Sequence, residues 1–480
     1  MEKGIAGGSY CPLVSRNVVL VVLDSVRKDR FDALATQLSE RAAVTYTGCR
    51  AAGSWSVPSH ASMLTGQLPT ECGVHAHAVD YTGLDRSDTV LGSLPDHHAI
   101  GVSTNVFAGS SYGFDHLFDE FASFSRHSRY PRALNVDDFL QHTDASGWRR
   151  YPAYLRAVSR HDHPVASVAD GLGIKLLDAL EPLPVQRPWD YGAATIRRES
   201  VRRLHDAPEP VFLFTNFMEA HTPHQQFRGC DRSLHDAPDG WTTAVDLWEV
   251  NTADDLAPYE EYLDRFRGLY DASVDYLDRA VSSFVDAVQA VTDRETTVVV
   301  TADHGENLCY PAEDGLLGHT ASLSEALLHV PLLVLNAPGE VSDRVERGYV
   351  SHLDLPELLV GLAAGKFPSL PRERVVAERV GLGLVEGIEN FDYYDRMLRV
   401  AYRGTEKYGW DSLGGSYRAT VDPEDPSTEE RTATDVNVPG WATDRFPVDI
   451  ETAKRQAEAA GSGRDVDDAT ADRLADLGYL

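Results

Sequence analysis

Four short apolar runs mark the chain. Val18-Val19-Leu20-Val21-Val22-Leu23 is continuous and rich in β-branched residues, the pattern of a strand buried on both faces of a parallel sheet. Val211-Phe212-Leu213-Phe214, Thr296-Thr297-Val298-Val299-Val300-Thr301 and Val330-Pro331-Leu332-Leu333-Val334-Leu335 repeat that pattern. From Tyr259 to Val291, Tyr262, Phe266, Leu269, Tyr270, Val274, Leu277 and Val281 recur at helical spacing, which predicts a long amphipathic helix. Pro356 suits the first turn of another apolar helix, Glu357 to Ala364. Strands that alternate with helices predict an α/β domain on a mostly parallel sheet.

Two stretches break the alternation. The segment from about 118 to 203 is rich in Pro, His, Arg and Asp, and reads as an insertion of short helices beside a substrate pocket. After Lys366, Arg399-Val400-Ala401-Tyr402 and Lys407-Tyr408-Gly409-Trp410 predict strands of a small antiparallel sheet. Val421 to Gly463 is turn-rich and acidic, and Leu474, Leu477 and Leu480 stand at helical spacing near the end. The expected organisation is a catalytic domain over 15–365 and a smaller C-terminal α+β subdomain over 366–480, without internal repeats.

Composition is ordinary in its apolar share, 42% hydrophobic, but not in its charge. Asp and Glu number 74 against 44 Lys and Arg, a formal net charge of -30. Lysine is confined to Lys3, Lys28, Lys175, Lys366, Lys407 and Lys454, an acidic, lysine-poor balance like that of salt-loving proteins, whose self-repulsion salt screens. Such a surface repels nucleic acid and anionic lipid. It also repels an anionic substrate, so the active site needs a local cation. The first residues, MEKGIAGGSYCPLVSRN, carry no apolar run suited to a secretory signal, and Val18–Leu23 is far short of the ~20 residues of a membrane span. The five cysteines, Cys11, Cys49, Cys72, Cys230 and Cys309, show no CxxC pairing, which points to free thiols and a cytoplasmic protein.

The candidate chemistry lies just after the buried strands, where open α/β sheets gather ligands. Asp24 ends the first run, and Asp303-His304-Gly305-Glu306 follows the third. One carboxylate at a strand end can simply cap a helix, but two with a histidine offer oxygen and nitrogen donors to a divalent cation. In Ser54-Trp55-Ser56-Val57-Pro58-Ser59-His60, Pro58 marks a helix start and Gly66 its stop, placing Ser56 at or just before the N-cap. A serine there either caps the helix or meets an anion; beside a metal its hydroxyl becomes a nucleophile.

These segments together resemble the sulfatase branch of the alkaline phosphatase superfamily. The resemblance runs through Asn17–Asp29, Ser56-Val57-Pro58-Ser59-His60 with Leu64-Thr65-Gly66, Thr301–Glu306, Gly318-His319 and His329–Leu332. It continues in Ser351–Pro356 and Leu474–Tyr479, so it spans nearly the whole chain apart from the insertion. It implies an alkaline-phosphatase-like central sheet flanked by helices, on which Asp24, Ser56, Asp303 and His304 converge at one edge to ligate one divalent metal ion. The ion is Mn, Zn, Mg or Ca, and the His304 nitrogen tilts the choice toward Mn or Zn. His221 then contacts the transferred group or protonates the leaving oxygen, and His319 binds the anion, whereas His224 and His77 are poorer candidates among 18 histidines. Ser25 stands where much of the family has a further acidic ligand, the arrangement of phosphonate monoester hydrolases and lipoteichoic-acid-synthase-like phosphotransferases.

His60 replaces the arginine of the motif by which a serine or cysteine is converted to formylglycine. Ser56 is therefore expected to stay a serine, and phosphoesters to be preferred over sulfate esters. The leading expectation is hydrolysis of an anionic sulfate or phosphate ester, glycan-linked or not. The alternatives are phosphoryl transfer to a glycan or envelope alcohol, and a non-catalytic anion-binding homologue.

Overall fold

The computed structural model describes residues 15–461 except 142, 144, 181–182, 244–246, 320, 340, 383–389 and 426–428. The predicted helix near Leu474–Leu480 lies outside these residues. In chain order the strands are β1 (Asn17–Leu23), β2 (Val44–Arg50), β3 (His98–Ser103), β4 (Glu120–Ser123), β5 (Val211–Phe217), β6 (Thr296–Ala302) and the two-residue β7 (Asn307–Leu308) and β8 (Leu317–Gly318). They are followed by β9 (Leu332–Leu335), β10 (Arg344–Ser351), β11 (Arg374–Val380), β12 (Met397–Arg403), β13 (Glu406–Asp411), β14 (Ser416–Val421) and β15 (Glu429–Thr434).

The central sheet has eight strands in the order β10-β2-β9-β6-β1-β5-β3-β4. β1 lies in its middle, parallel to β5 and β6, and all its residues are buried. The continuous apolar run thus has the cause read from the sequence: helices cover both faces. β9 departs from that reading. It pairs antiparallel with both β2 and β6, and the strand covers Leu332–Leu335, not the whole run from Val330. An unbroken apolar run reports burial but carries no sign of direction. The other strands of this sheet run one way, so β1, β2, β3, β5 and β6 deliver their carboxyl ends to one edge.

The long helix spans Glu260–Val291, burying Phe266, Tyr270, Leu277 and Phe284 along one stripe. The proline-led helix is Leu355–Ala363. Between β4 and β5, helices Arg150–Val158, Pro164–Leu180 and Ala193–Asp206 fill the region read as an insertion; its first residues already form the edge strand β4.

Strands β11 to β15 form an antiparallel meander, with the predicted segments at 399–402 and 407–410 inside β12 and β13. The stretch read as turn-rich holds β15 and a helix, Ile450–Gly461. A buried ion cluster ties the two sheets. Arg50 at the end of β2 pairs with Glu325 at 2.7 Å, and Glu325 and Glu429 share Lys407 at 3.3 and 3.0 Å. Cys49, Cys72, Cys230 and Cys309 are free thiols. No helix of the described residues is long and apolar enough to cross a membrane.

Candidate active site

Asp24 follows β1 directly and is fully buried. Its Oδ2 accepts hydrogen bonds from Asn105 Nδ2 at 2.6 Å and Ser56 Oγ at 3.3 Å, and its Oδ1 accepts from Ser25 Oγ at 2.9 Å. Ser25 sits in the left-handed region at φ 60, which aims its backbone N–H at Asp303 Oδ1, 3.1 Å away. Where an acidic ligand would stand, Ser25 thus provides two neutral donors to the carboxylates on either side.

Asp303 and His304 follow β6. Ligand atoms of Asp24, Asp303 and His304 all lie within 4.8 Å of one another. His304 Nδ1 contacts Gly305 O at 2.7 Å, which makes Nδ1 a donor and leaves Nε2 as the nitrogen whose lone pair a cation can take. Gly305 is required here, because a Cβ would stand 1.9 Å from Ala326 O. Neither His304 Nε2 nor Asp303 Oδ2 makes a hydrogen bond among the described residues, and the two are 3.4 Å apart.

Two fully buried carboxylates this close repel each other. Burial, and then the Asp303 charge, push the Asp24 carboxyl well above the usual range. Burial opposes the Asp303 charge too, but His304 and His60 beside it hold that carboxyl below its ordinary value. A cation between them would remove this conflict and satisfy both orphaned atoms, so the donor set fits a divalent metal.

Ser56 enters from β2 through the loop 51–55. Trp55 is fully extended at φ -158, and the helix begins at Ser56, so Ser56 is the first helical residue and not the cap. Its Oγ also accepts from Asn105 Nδ2 at 3.2 Å. Asn105, after β3, was not singled out by the sequence; a lone asparagine past an irregular strand carries no signal there. His60 lies one turn along. Its Nδ1 donates to Ser56 O at 2.7 Å, its Nε2 accepts from Asn216 Nδ2 at 3.1 Å, and its ring packs edge-on against Phe114 and Phe214. Burial pushes its pKa down, and with both ring nitrogens engaged His60 is a strut under the first turn of the helix.

His221 and His319 complete the cluster, with ring centroids 5.4 Å apart and His319 4.8 Å from His304. His221 Nδ1 contacts Thr222 O at 2.6 Å and His319 Nδ1 contacts Glu306 Oε2 at 3.3 Å. Burial pushes both histidines well below their ordinary pKa and pushes Glu306 up to about 8. Arg379 arrives from β11 of the second sheet and donates to Ser54 Oγ at 3.1 Å and His319 O at 3.3 Å.

His224 lies away from this cluster, against Phe266 and Tyr270. His77, with Asp395 and Glu458, surrounds the Lys454 ammonium at 2.8, 2.5 and 3.4 Å, so a cation already occupies that acidic group.

Comparison with known proteins identifies the frame. The family model Sulfatase matches residues 16–366. An endo-4-O-sulfatase of Bacteroides thetaiotaomicron is 24% identical over 370 residues, covering 73% of this chain; the chain spans 65% of that relative's length. Among solved structures, the phosphonate monoester hydrolase SpPMH from Silicibacter pomeroyi superposes with a TM-score of 0.54 at 14% identity, over 82% of this chain and 87% of its own. A 2-O GAG sulfatase does so at 0.53 and 13%, over 85% of each chain. At such identities these structures speak for the fold alone.

Proposed function

The chain belongs to the sulfatase family, and from that premise we propose that it hydrolyses sulfate or phosphate esters with Ser56 as nucleophile and one divalent cation held by Asp24, Ser56, Asp303 and His304. The observation that carries this reading is the meeting of Asp24, Asp303 and His304 ligand atoms within 4.8 Å, with Ser56 Oγ 3.3 Å from Asp24. A cation bound there supplies positive charge that lowers the pKa of the serine hydroxyl and offsets the charge of the transferred group. The nitrogen donor of His304 favours Mn or Zn over Ca.

The chain's own residues prepare the attack. Asp24 Oδ2 accepts the Ser56 proton, while the Asn105 amide steadies the oxygen that remains. Attack forms a bond from Ser56 Oγ to phosphorus or sulfur and breaks the bond to the alcohol oxygen. A Glu306 kept protonated by burial donates to His319 Nδ1, leaving the ring's Nε2–H as a donor to an anionic oxygen. His221, on the same sheet edge, relays the proton taken up by Asp24 to the leaving alcohol oxygen. Water then displaces Ser56 from the covalent ester and returns its proton.

His60 in place of the modification-motif arginine favours an unmodified serine, and with it a phosphoester substrate, because a sulfated serine lacks the hemiacetal escape of formylglycine. The net charge of -30 favours work in concentrated salt. The test uses protein from its native host. We expect the Ser56 peptide to have the mass of serine, an aryl phosphate to turn over faster than the matching aryl sulfate, and Ser56→Ala to abolish both. A formylglycine mass with faster sulfate turnover overturns the phosphoester preference; near-normal rates in Ser56→Ala remove the nucleophile.

A further inference from the structure

The helices between β4 and β5 enclose a cavity of about 1000 Å3 beside the site, at the upper end of the usual range for small-molecule pockets. Its lining mixes two kinds of chemistry. Thr104, the neighbour of Asn105, lines it, as do Arg126 and Arg187. Arg126 Nη1 donates to Thr222 O at 3.2 Å, directly after His221, and both guanidinium groups stack on the Tyr191 ring at 4.9 and 4.5 Å. The helical walls add apolar side chains among polar ones such as Asn135 and Lys175. Phe139, Trp148 and Leu155 line them, as do Leu172, Ile174 and Leu177 of the helix Pro164–Leu180.

These same elements leave apolar surface open to solvent. Trp148 is 75% exposed, Leu155 58% and Leu172 66%. Among the described residues, the large exposed hydrophobics outside 130–185 are only Val345, Tyr393 and Leu413. On a chain of net charge -30, exposed apolar surface gathered around one cavity calls for an occupant. Polar side chains such as Asn135, Lys175, Gln225 and Thr242 also line the cavity and could meet hydroxyls, but the surface left uncovered is that of Trp148, Leu155 and Leu172, which calls for an apolar group.

We propose that this cavity holds the alkyl or isoprenoid chain of the substrate, so that the ester cleaved belongs to an amphiphile: a long-chain alcohol or lipid sulfate or phosphate. The proposal rests on the ester-hydrolase reading of the Asp24–Ser56 site and names its substrate class. The two guanidinium groups set the orientation, with the anionic head toward Ser56 and the tail toward Trp148 and Leu172.

The test is a homologous series of n-alkyl phosphates and n-alkyl sulfates from ethyl to octyl, assayed on the metal-loaded full chain below micellar concentrations. Each fully buried methylene is worth about four-fold in kcat/KM, so even partial burial should make octyl exceed ethyl by at least ~10-fold. The double variant Leu155→Asp/Leu172→Asp should bring that ratio toward one. A flat series with measurable ethyl ester turnover overturns the cavity assignment and leaves the hydrolase reading standing, as does clear preference for a sulfated oligosaccharide. If no ester turns over, calorimetry with octylphosphonate and ethylphosphonate decides separately. Binding that is ~10-fold tighter for octyl, and lost in the double variant, supports the cavity; equal binding overturns it.

Discussion

Asn105 joins the two oxygens on which the proposed chemistry depends, and its removal gives a sharp test. Its amide nitrogen is 2.6 Å from Asp24 Oδ2 and 3.2 Å from Ser56 Oγ, so each of its two hydrogens has an acceptor. Its Oδ1 accepts from Phe107 N at 2.8 Å, which fixes the amide orientation. Asn105→Ala therefore removes one donor to a serine oxygen that becomes negative as it attacks. A hydrogen bond to a charged group contributes about 1.5–3 kcal/mol. At about 1.4 kcal/mol per ten-fold, kcat/KM should fall between about 10- and 150-fold. Loss of the bond from Phe107 N–H adds a stability cost of about 1–3 kcal/mol, which a melting curve reads separately. The assay compares wild type and variant on one aryl phosphate with saturating divalent cation, after circular dichroism shows matching folds. A folded, metal-loaded variant within two-fold of wild type would refute the argument that Asn105 steadies the nucleophile.

Chelation should stop turnover and lower Tm, because Asp24 and Asp303 are then left as neighbouring buried carboxylates; Mn or Zn at 100 times its Kd should restore about 2.7 kcal/mol, and Asp303→Asn should largely lose that gain. Indifference of Tm and rate to chelator would rule out the metal site. Burial, then Asp190, lifts Glu219 to about 8, so between the ordinary 4.5 and about 8 the folded chain holds a proton the unfolded chain has lost, and stability falls as pH rises across that window. Glu219→Gln, which keeps an acceptor for Ala193 N, should thus raise Tm at pH 8.5 and change it little at pH 4.5; an equal gain at both would contradict this. Tm should also rise from dilute buffer to molar KCl as salt screens the net charge of -30, and a flat response would contradict the halophilic reading.

Much of the fold was legible because β1 and β6 are buried on both faces, and burial writes itself as uninterrupted Val and Thr-Val runs. β2 was not, since Thr45 and Thr47 are only half-buried and Gly48 lies under Gly348 and Pro423, so its pattern is broken by packing. Of the site, the residues that follow strong strands were visible: Asp24, Asp303, His304 and His221. Asn105 and Arg379 were not. Each is one polar residue brought in by tertiary contact, Asn105 from the irregular loop after β3 and Arg379 from another sheet, with nothing local to distinguish it. The start of the helix that carries Ser56 lies beyond the position read from the sequence because Trp55 takes the extended conformation that Pro58 alone does not dictate.

The span matched by the family model stops at 366, yet Arg379 of β11 lies against Ser54 and His319. The candidate site is thus a joint between two sheets. Recombination that exchanged the C-terminal meander would carry part of the site's surroundings with it, and would leave Glu325 paired with Arg50 alone, since Lys407 leaves too. A lineage of such chains can shift what it accepts by substitutions in hairpins remote in sequence from Asp24, Ser56, Asp303 and His304, while those four stay under separate constraint.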